Sequence, residues 1–202
     1  VAPEYGGAGA TEAMSSVLIE EVARANTSGL GFGLHNDIVA PYIETFGSEA
    51  QKKKYLPPMA RGEKIGAIAM TEPGTGSDLQ GVRTTAKRDG DHWVVNGSKT
   101  FITNGYHADI VIVVAKTDPA AGAKGVSLII VEEGTPGFRK GKRLKKVGLK
   151  SQDTSELFFD DVRVPADNLL GKEGEGFIYL MQKLPWERLQ IAITAHASAQ
   201  AQ

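Results

Sequence analysis

Two stretches of this sequence carry residue types that can do chemistry together: a Gly/Pro loop rich in side-chain oxygens, and a glutamate set among apolar residues. The loop is Met70-Thr71-Glu72-Pro73-Gly74-Thr75-Gly76-Ser77-Asp78, and it follows the apolar run from Ile65. Gly74 and Gly76 can reach positive φ without a Cβ clash, which lets backbone N–H groups converge on an anion or a carbonyl, while Pro73 stiffens the approach. Turns of this composition also serve as plain strand connections. The glycines at 74, 76 and 81 lack the G-x-G-x-x-G spacing, and Val82 to Arg88 reads as strand. A dinucleotide site built on a helix N-terminus is therefore excluded.

The glutamate is Glu187, in Leu184-Pro185-Trp186-Glu187-Arg188-Leu189. One reading is structural: Pro185 restarts a helix, and an acid just inside that start complements the dipole by about 0.3–1 kcal/mol. The other is chemical. Leu184, Pro185, Trp186 and Leu189 surround the carboxylate with apolar groups, and desolvation raises its pKa toward the working pH, as a general base requires. Both readings stand on the residues alone.

Other candidates carry less. Phe101-Ile102-Thr103 ends a strand at Asn104-Gly105, where a ring can shield a flat apolar ligand and Thr103 can donate a hydrogen bond, though such strand ends are also simply core and turn. Ser98-Lys99-Thr100 after Gly97 has the look of a P-loop, but its glycine spacing is wrong and it continues a hairpin instead of opening a helix. The basic run Arg139-Lys140-Gly141-Lys142-Arg143-Leu144-Lys145-Lys146 has no interleaved aromatics. With 23 basic against 24 acidic residues in the chain, it reads as a solvated strand and loop. His35, His92, His107 and His196 show no spacing for a shared metal and receive no role.

The elements that must position these residues change period along the chain. Met14, Val17, Leu18 and Val22 recur at helical spacing and predict an amphipathic helix. Gly29, Gly31 and Gly33 weaken the next stretch. Val39, Ile43 and Phe46 mark a second helix ended by Gly47, and Ser48 with Gln51 forms a capping box opening a third, which Pro57-Pro58 should terminate. From Ile65 the period is two: Val82–Arg88, His92–Val95 and Ser98–Ile102 read as strands joined by two-residue turns at Asp89-Gly90 and Asn96-Gly97. Asp109–Ala115 reads as a central strand buried on both faces. Val126–Val131, Phe138–Arg143, Leu157–Phe159 and Val162–Val164 add more strands, which argues a sandwich or small barrel. Past Gly176 helical spacing returns, and Pro185 should kink or restart that helix. The fold class is α+β: residues 1–64 as part of a helical domain, 65–170 as a central β-domain, and 171–202 as the first helix of a further helical domain.

At 202 residues the chain can bury a proper core. The absence of cysteine excludes a disulfide framework and thiolate metal sites, yet fits reducing and oxidising compartments alike. No apolar stretch approaches a membrane span. Both ends read as truncated, since the chain opens without a signal peptide and stops inside a helical pattern.

Met70–Asp78 followed by Asn96-Gly-Ser-Lys-Thr-Phe-Ile-Thr-Asn-Gly105 resembles the two flavin-contacting segments of the acyl-CoA dehydrogenases. Gly148-Leu-Lys-Ser-Gln-Asp-Thr-Ser-Glu-Leu-Phe-Phe159 and Leu184–Leu189 are similar to the long-chain and isovaleryl-type branch. The resemblance covers nearly the whole chain. It implies FAD lined by Ile68, Ala69, Met70, Thr71, Gly76, Ser77, Phe101, Ile102 and Thr103, with Phe101 where the family often has Trp. It implies Glu187 as the base that takes the α-proton of an acyl-CoA, a role that short- and medium-chain relatives give to a later helix. Substrate contacts fall by resemblance on Ser77, Thr117, Asp118, Pro185, Trp186 and Arg188. Ile178 departs from a Tyr common in long-chain relatives. A homotetramer, an electron-transfer flavoprotein as acceptor, and a cytoplasmic (bacterial) or mitochondrial-matrix (eukaryotic) location complete what the resemblance implies. Two alternatives remain at this level: a flavin-dependent oxidase or other flavoenzyme on the same scaffold, and a non-enzymatic binding module lacking its catalytic half.

Overall fold

The computed structural model describes residues 1–27 and 29–201. Helix α1 (Glu12–Arg24) starts at Thr11, whose side chain accepts from the Met14 amide, as an N-cap should. Met14, Val17 and Leu18 are exposed, and Ala23 is the helix's one buried residue. The stripe expected to face a core therefore faces outward, because periodicity says which residues share a face and not what covers it. Helix α2 (Ala40–Phe46) is preceded by a π-helical turn, Leu34–Val39. Helix α3 (Glu49–Ala60) has the capping box expected of Ser48 and Gln51.

Pro57 and Pro58 lie inside α3 instead of ending it. The carbonyls they leave without helical donors belong to Lys53 and Lys54, which face solvent, while Tyr55, Leu56 and Met59 on the opposite side are buried. The two orphan acceptors thus lie on the solvent side of the helix, and packing of the opposite side holds it. The helix stops at Gly62, whose φ of 70° allows the left-handed turn.

The sheet has eight strands: β1 (Gly66–Ala69), β2 (Thr85–Asp89), β3 (His92–Thr103), β4 (Ile110–Lys116), β5 (Val126–Glu132), β6 (Phe138–Arg143), β7 (Thr154–Pro165) and β8 (Leu169–Leu170). Their order is β6-β7-β3-β2-β4-β5-β8, with β1 pairing parallel to β4. The Asp89-Gly90 hairpin forms as expected, pairing Asp89 with His92. Asn96-Gly97 is no turn. It lies within the continuous β3, at a register shift against β7. Gly97 has φ 149°, and a Cβ there would sit 2.4 Å from Thr84 Oγ1 and 2.8 Å from Thr84 Cα. The glycine serves a close crossing of the chain entering β2. The segments Leu157–Phe159 and Val162–Val164 likewise belong to one strand, β7, and β2 starts at Thr85 rather than Val82.

Strand β4 is buried throughout, as its apolar run requires, and its two faces feed two cores. Ile110, Ile112 and Val114 pack with Tyr42, Leu56, Met59, Leu180 and other helical residues. Val111, Val113 and Ala115 pack with Trp93, Val95, Leu157 and Val162, so β3 and β7 fold back over the other face. Helix α4 (Gly176–Gln200) is continuous through Pro185. The carbonyl that Pro185 leaves open is that of the exposed Met181, so solvent again bears the loss.

Candidate active site

The parallel pairing of β1 and β4 sends both C-terminal ends, Met70 and Thr117, toward the same side of the sheet. Strand β3 runs past β1 in the opposite direction. The Thr100 amide donates to the Thr71 carbonyl (2.9 Å), and Asn104 Nδ2 donates to the Gly66 carbonyl (3.3 Å). Residues 101–103 are thereby laid alongside 68–70, so the structure brings together the two segments singled out in the sequence. Their side chains then divide. Ala69 is sealed in the β core and Ile102 with it, whereas Ile68 faces the helical core. A ligand here meets the backbone of these residues. Phe101 stands out at 66% exposure. A second register shift, between Lys99 and Ile102, together with a φ of 58° at Phe101, re-aims the ring outward, a device bulges provide at sites. A bulky residue there holds an unfavourable backbone conformation.

The loop beyond β1 is fixed from within. Glu72 and Thr75 exchange backbone hydrogen bonds (2.9 and 3.1 Å). The Glu72 carboxylate accepts from the amides of Arg83 (2.7 Å) and Thr84 (2.9 Å) and from Lys99 Nζ (2.8 Å). Lys99 Nζ also donates to the carbonyls of Met70 (3.1 Å) and Val114 (2.7 Å). Burial pushes the Lys99 ammonium down to about 8 against the pull of Glu72. Burial also disfavours the Glu72 carboxylate, but Lys99 and the Thr84 hydrogen bonds outweigh it and hold Glu72 below the ordinary range. Gly74 and Gly76 do not take the positive φ expected of them, and a Cβ on either would meet nothing. Loop shape is set by the Glu72 contacts instead. Gly76 and Ser77 are exposed. Among the described residues, the hydroxyls of Thr71, Ser77 and Thr103 make no hydrogen bond.

Glu187 lies in the middle of α4, eleven residues past its start at Gly176, so the dipole reading is removed. Its partner is distant in sequence: Tyr42, fully buried in α2, donates its hydroxyl to Glu187 Oε1 at 3.0 Å. Burial raises the Glu187 carboxyl above its ordinary value, opposed by the Tyr42 hydrogen bond and by the charges of Arg188 and Lys183. Burial first, and the Glu187 charge second, push the Tyr42 phenol up as well, so Tyr42 stays a donor. Of the apolar sequence neighbours, Pro185 and Leu189 are exposed and add nothing to this environment, while Leu184 and Trp186 are partly buried.

What seats α4 is a proline. Pro41 has no N–H to offer the Asp37 carbonyl four residues earlier, and Trp186 Nε1 (3.2 Å) and Gln190 Nε2 (3.3 Å) donate to that oxygen instead. Trp186 thus docks the helix and Arg188 is exposed. Met70 and Leu184 pack on the same helical core as Tyr42, which ties the loop and the glutamate to one rigid body. Thr117 and Asp118 sit at the end of β4. Thr117 Oγ1 pairs with Ser127 Oγ (2.8 Å), and Asp118 caps the Ala120 amide (2.9 Å).

Sequence reasoning missed three participants. Tyr42 carries no local signal. His35, set aside for want of metal spacing, accepts from the Gly66 amide at Nδ1 (2.9 Å) and bonds the Met59 carbonyl through Nε2 (3.1 Å). It is a clasp between helix and β1. Lys99 lies inward in β3 as Trp93 and Val95 do, a continuity hidden by reading Asn96-Gly97 as a turn.

Comparison with known proteins matches residues 1–63 to the model of the acyl-CoA dehydrogenase N-terminal domain and residues 67–162 to that of the middle domain. The chain belongs to the acyl-CoA dehydrogenase family. It is 56% identical over 202 residues to the mitochondrial long-chain specific acyl-CoA dehydrogenase of Sus scrofa, covering 99% of this chain and 47% of that protein. It is 44% identical over 192 residues to the mitochondrial isovaleryl-CoA dehydrogenase of Pongo abelii, covering 94% and 45%. A solved acyl-CoA dehydrogenase from Geobacillus kaustophilus superposes with a TM-score of 0.95 at 56% identity, over 100% of this chain and 53% of that one. The chain spans about half the length of the curated relatives it matches. In this family member, no described helix is long and apolar enough to cross a membrane.

Proposed function

We propose that this chain carries the proton-abstracting half of a FAD-dependent acyl-CoA dehydrogenase, which converts an acyl-CoA thioester to the trans-2-enoyl-CoA. The observation that carries the reading is Glu187: a mid-helix carboxylate, half-buried and raised in pKa, held by one buried phenol. Such a group is a stronger base than an ordinary carboxylate, as removal of a weakly acidic proton requires.

The cradle fits a flavin. An exposed aromatic ring turned outward at a bulge, two backbone stretches side by side, and three hydroxyls without partners suit a flat heteroaromatic ring with carbonyl and imide edges. Ile68–Thr71, Gly76, Ser77 and Phe101–Thr103 would hold it. When bound, FAD supplies a two-electron acceptor for the β-hydrogen of the substrate, taken as hydride.

Glu187 takes the α-proton, and the electron pair of that C–H bond becomes the second bond between Cα and Cβ as the hydride departs. Two hydrogens leave, one as H⁺ on Glu187 and one as H⁻, so charge and electrons balance. Tyr42 steadies the carboxylate before the transfer and keeps its own proton throughout. The Asp37 carbonyl, through Trp186 and Gln190, fixes the rotation of α4 and with it the reach of Glu187, which is how a fold lowers the entropy of such a step. Ser77, Thr117, Asp118, Pro185, Trp186 and Arg188 are proposed to contact the CoA ester. An electron-transfer flavoprotein is proposed as the onward acceptor and a homotetramer as the assembly, both by family likeness. Anaerobic mixing of the purified protein with a panel of acyl-CoAs tests the proposal. Bleaching of the flavin band in wild type and its loss in Glu187→Gln are the expected results; equal bleaching in both refutes the assignment of the base.

A further inference from the structure

We propose that Lys99 and Glu72 are positioning residues for the cofactor: their buried pair sets the backbone of the Met70–Ser77 loop in the shape that receives the flavin. The inference rests on the flavin reading above and deepens it.

Lys99 has three N–H donors and spends all of them inside the protein, on the Met70 carbonyl, the Val114 carbonyl and Glu72 Oε1. This tripod joins the first residue of the loop, the central strand and the loop's own acid at one point. Its side chain has no solvent exposure, and Glu72 retains 6%. Glu72 extends the grip with the Arg83 and Thr84 amides, and its backbone closes the turn with Thr75. Apart from the backbone bonds of Thr71 with Thr100 and of Glu72 with Thr75, the contacts that hold the loop run through one ion pair. The hydroxyls of Thr71 and Ser77 stay free for a ligand, because the pair and not the hydroxyls holds the loop.

A buried pair of this kind is poor evidence of stability as such, since apolar replacements of both partners are often tolerated, whereas loss of one partner strands a charge. That asymmetry separates positioning from mere folding. In the full-length protein, Lys99→Met and Glu72→Gln each lower the unfolding temperature, and the Glu72→Gln/Lys99→Met double variant recovers most of that loss. The same double variant binds FAD about tenfold or more weakly, the scale expected when hydrogen bonds to charged groups no longer fix the loop. The vibronic shape of its flavin absorption band changes as well. Lys99→Arg is the control for a double variant that does not fold: a planar fork cannot address three acceptors from one nitrogen, so it folds and still binds FAD more weakly. A folded double variant with wild-type FAD affinity and spectrum overturns the proposal, and so does Lys99→Arg with both unchanged. A wild-type protein that takes up no FAD refutes this inference and the proposed function together.

Discussion

Replacing Tyr42 by Phe removes a single oxygen from the interior and isolates its hydrogen bond to the Glu187 carboxylate, the one such bond among the described residues. The Tyr42 hydroxyl donates at 3.0 Å and opposes the burial that raises Glu187. Without it the carboxyl rises further. A hydrogen bond to a charged group contributes about 1.5–3 kcal/mol, and about 1.4 kcal/mol is a factor of ten. Glu187 keeps some water contact, so the low end applies, and its acid dissociation constant falls about tenfold. The acidic limb of the pH–rate profile then moves to higher pH. Below that limb the rate of flavin bleaching by acyl-CoA drops about tenfold, while the alkaline plateau is retained. Stability follows the same sign. A carboxyl raised in the folded state contributes stability that is fully present below its unfolded pKa and is lost as pH rises through the folded value. Tyr42→Phe extends that loss to higher pH, and Glu187→Gln abolishes it while slowing proton abstraction by about 10²–10⁴-fold. The measurements are stopped-flow bleaching and thermal unfolding across pH. An acidic limb that stays in place, or that moves to lower pH, refutes the role given to Tyr42.

Phe101→Gly relieves a left-handed residue that costs about 1–2 kcal/mol, so chemical denaturation should show stability unchanged or raised by up to about 1 kcal/mol, after the entropic cost of glycine. FAD affinity, read by fluorescence quenching, falls in the same variant. Gly97→Ala drives a Cβ into Thr84 at a φ of 149° and lowers unfolding free energy by about 2–4 kcal/mol. Trp186→Phe and Gln190→Leu each leave the Asp37 carbonyl one donor and cost little in hydrogen bonding. The double variant orphans that oxygen and costs about 1–3 kcal/mol beyond the sum of the singles, readable in a double-mutant cycle.

Much of the fold was legible because its signals are local. The capping box at Ser48, the Asp89-Gly90 hairpin and the wholly apolar β4 each depend on residues within a few positions of one another, and all three formed. Prolines misled for the opposite reason. Pro57, Pro58 and Pro185 are helix breakers in isolation, but each left its unpaired carbonyl on the solvent side, and tertiary packing carried the helices through. Asn96-Gly97 has the composition of a turn, yet its glycine is used for a close crossing of chains, a need that exists only once Thr84 is alongside.

For the site, sequence alone determined the chemical inventory: an acid on a helix, an oxygen-rich loop after a strand, and an aromatic at a strand end. Only the tertiary structure decided what each touches. It put Glu187 mid-helix and gave it Tyr42, 145 positions away. It ran β3 back along β1 so that the two segments lie side by side, and it buried a lysine dismissed as part of a false P-loop against the Met70 and Val114 carbonyls. Composition and spacing fix which groups are available, whereas burial and the identity of a distant partner set a carboxylate's proton affinity and a loop's shape, and those are properties of the packed chain.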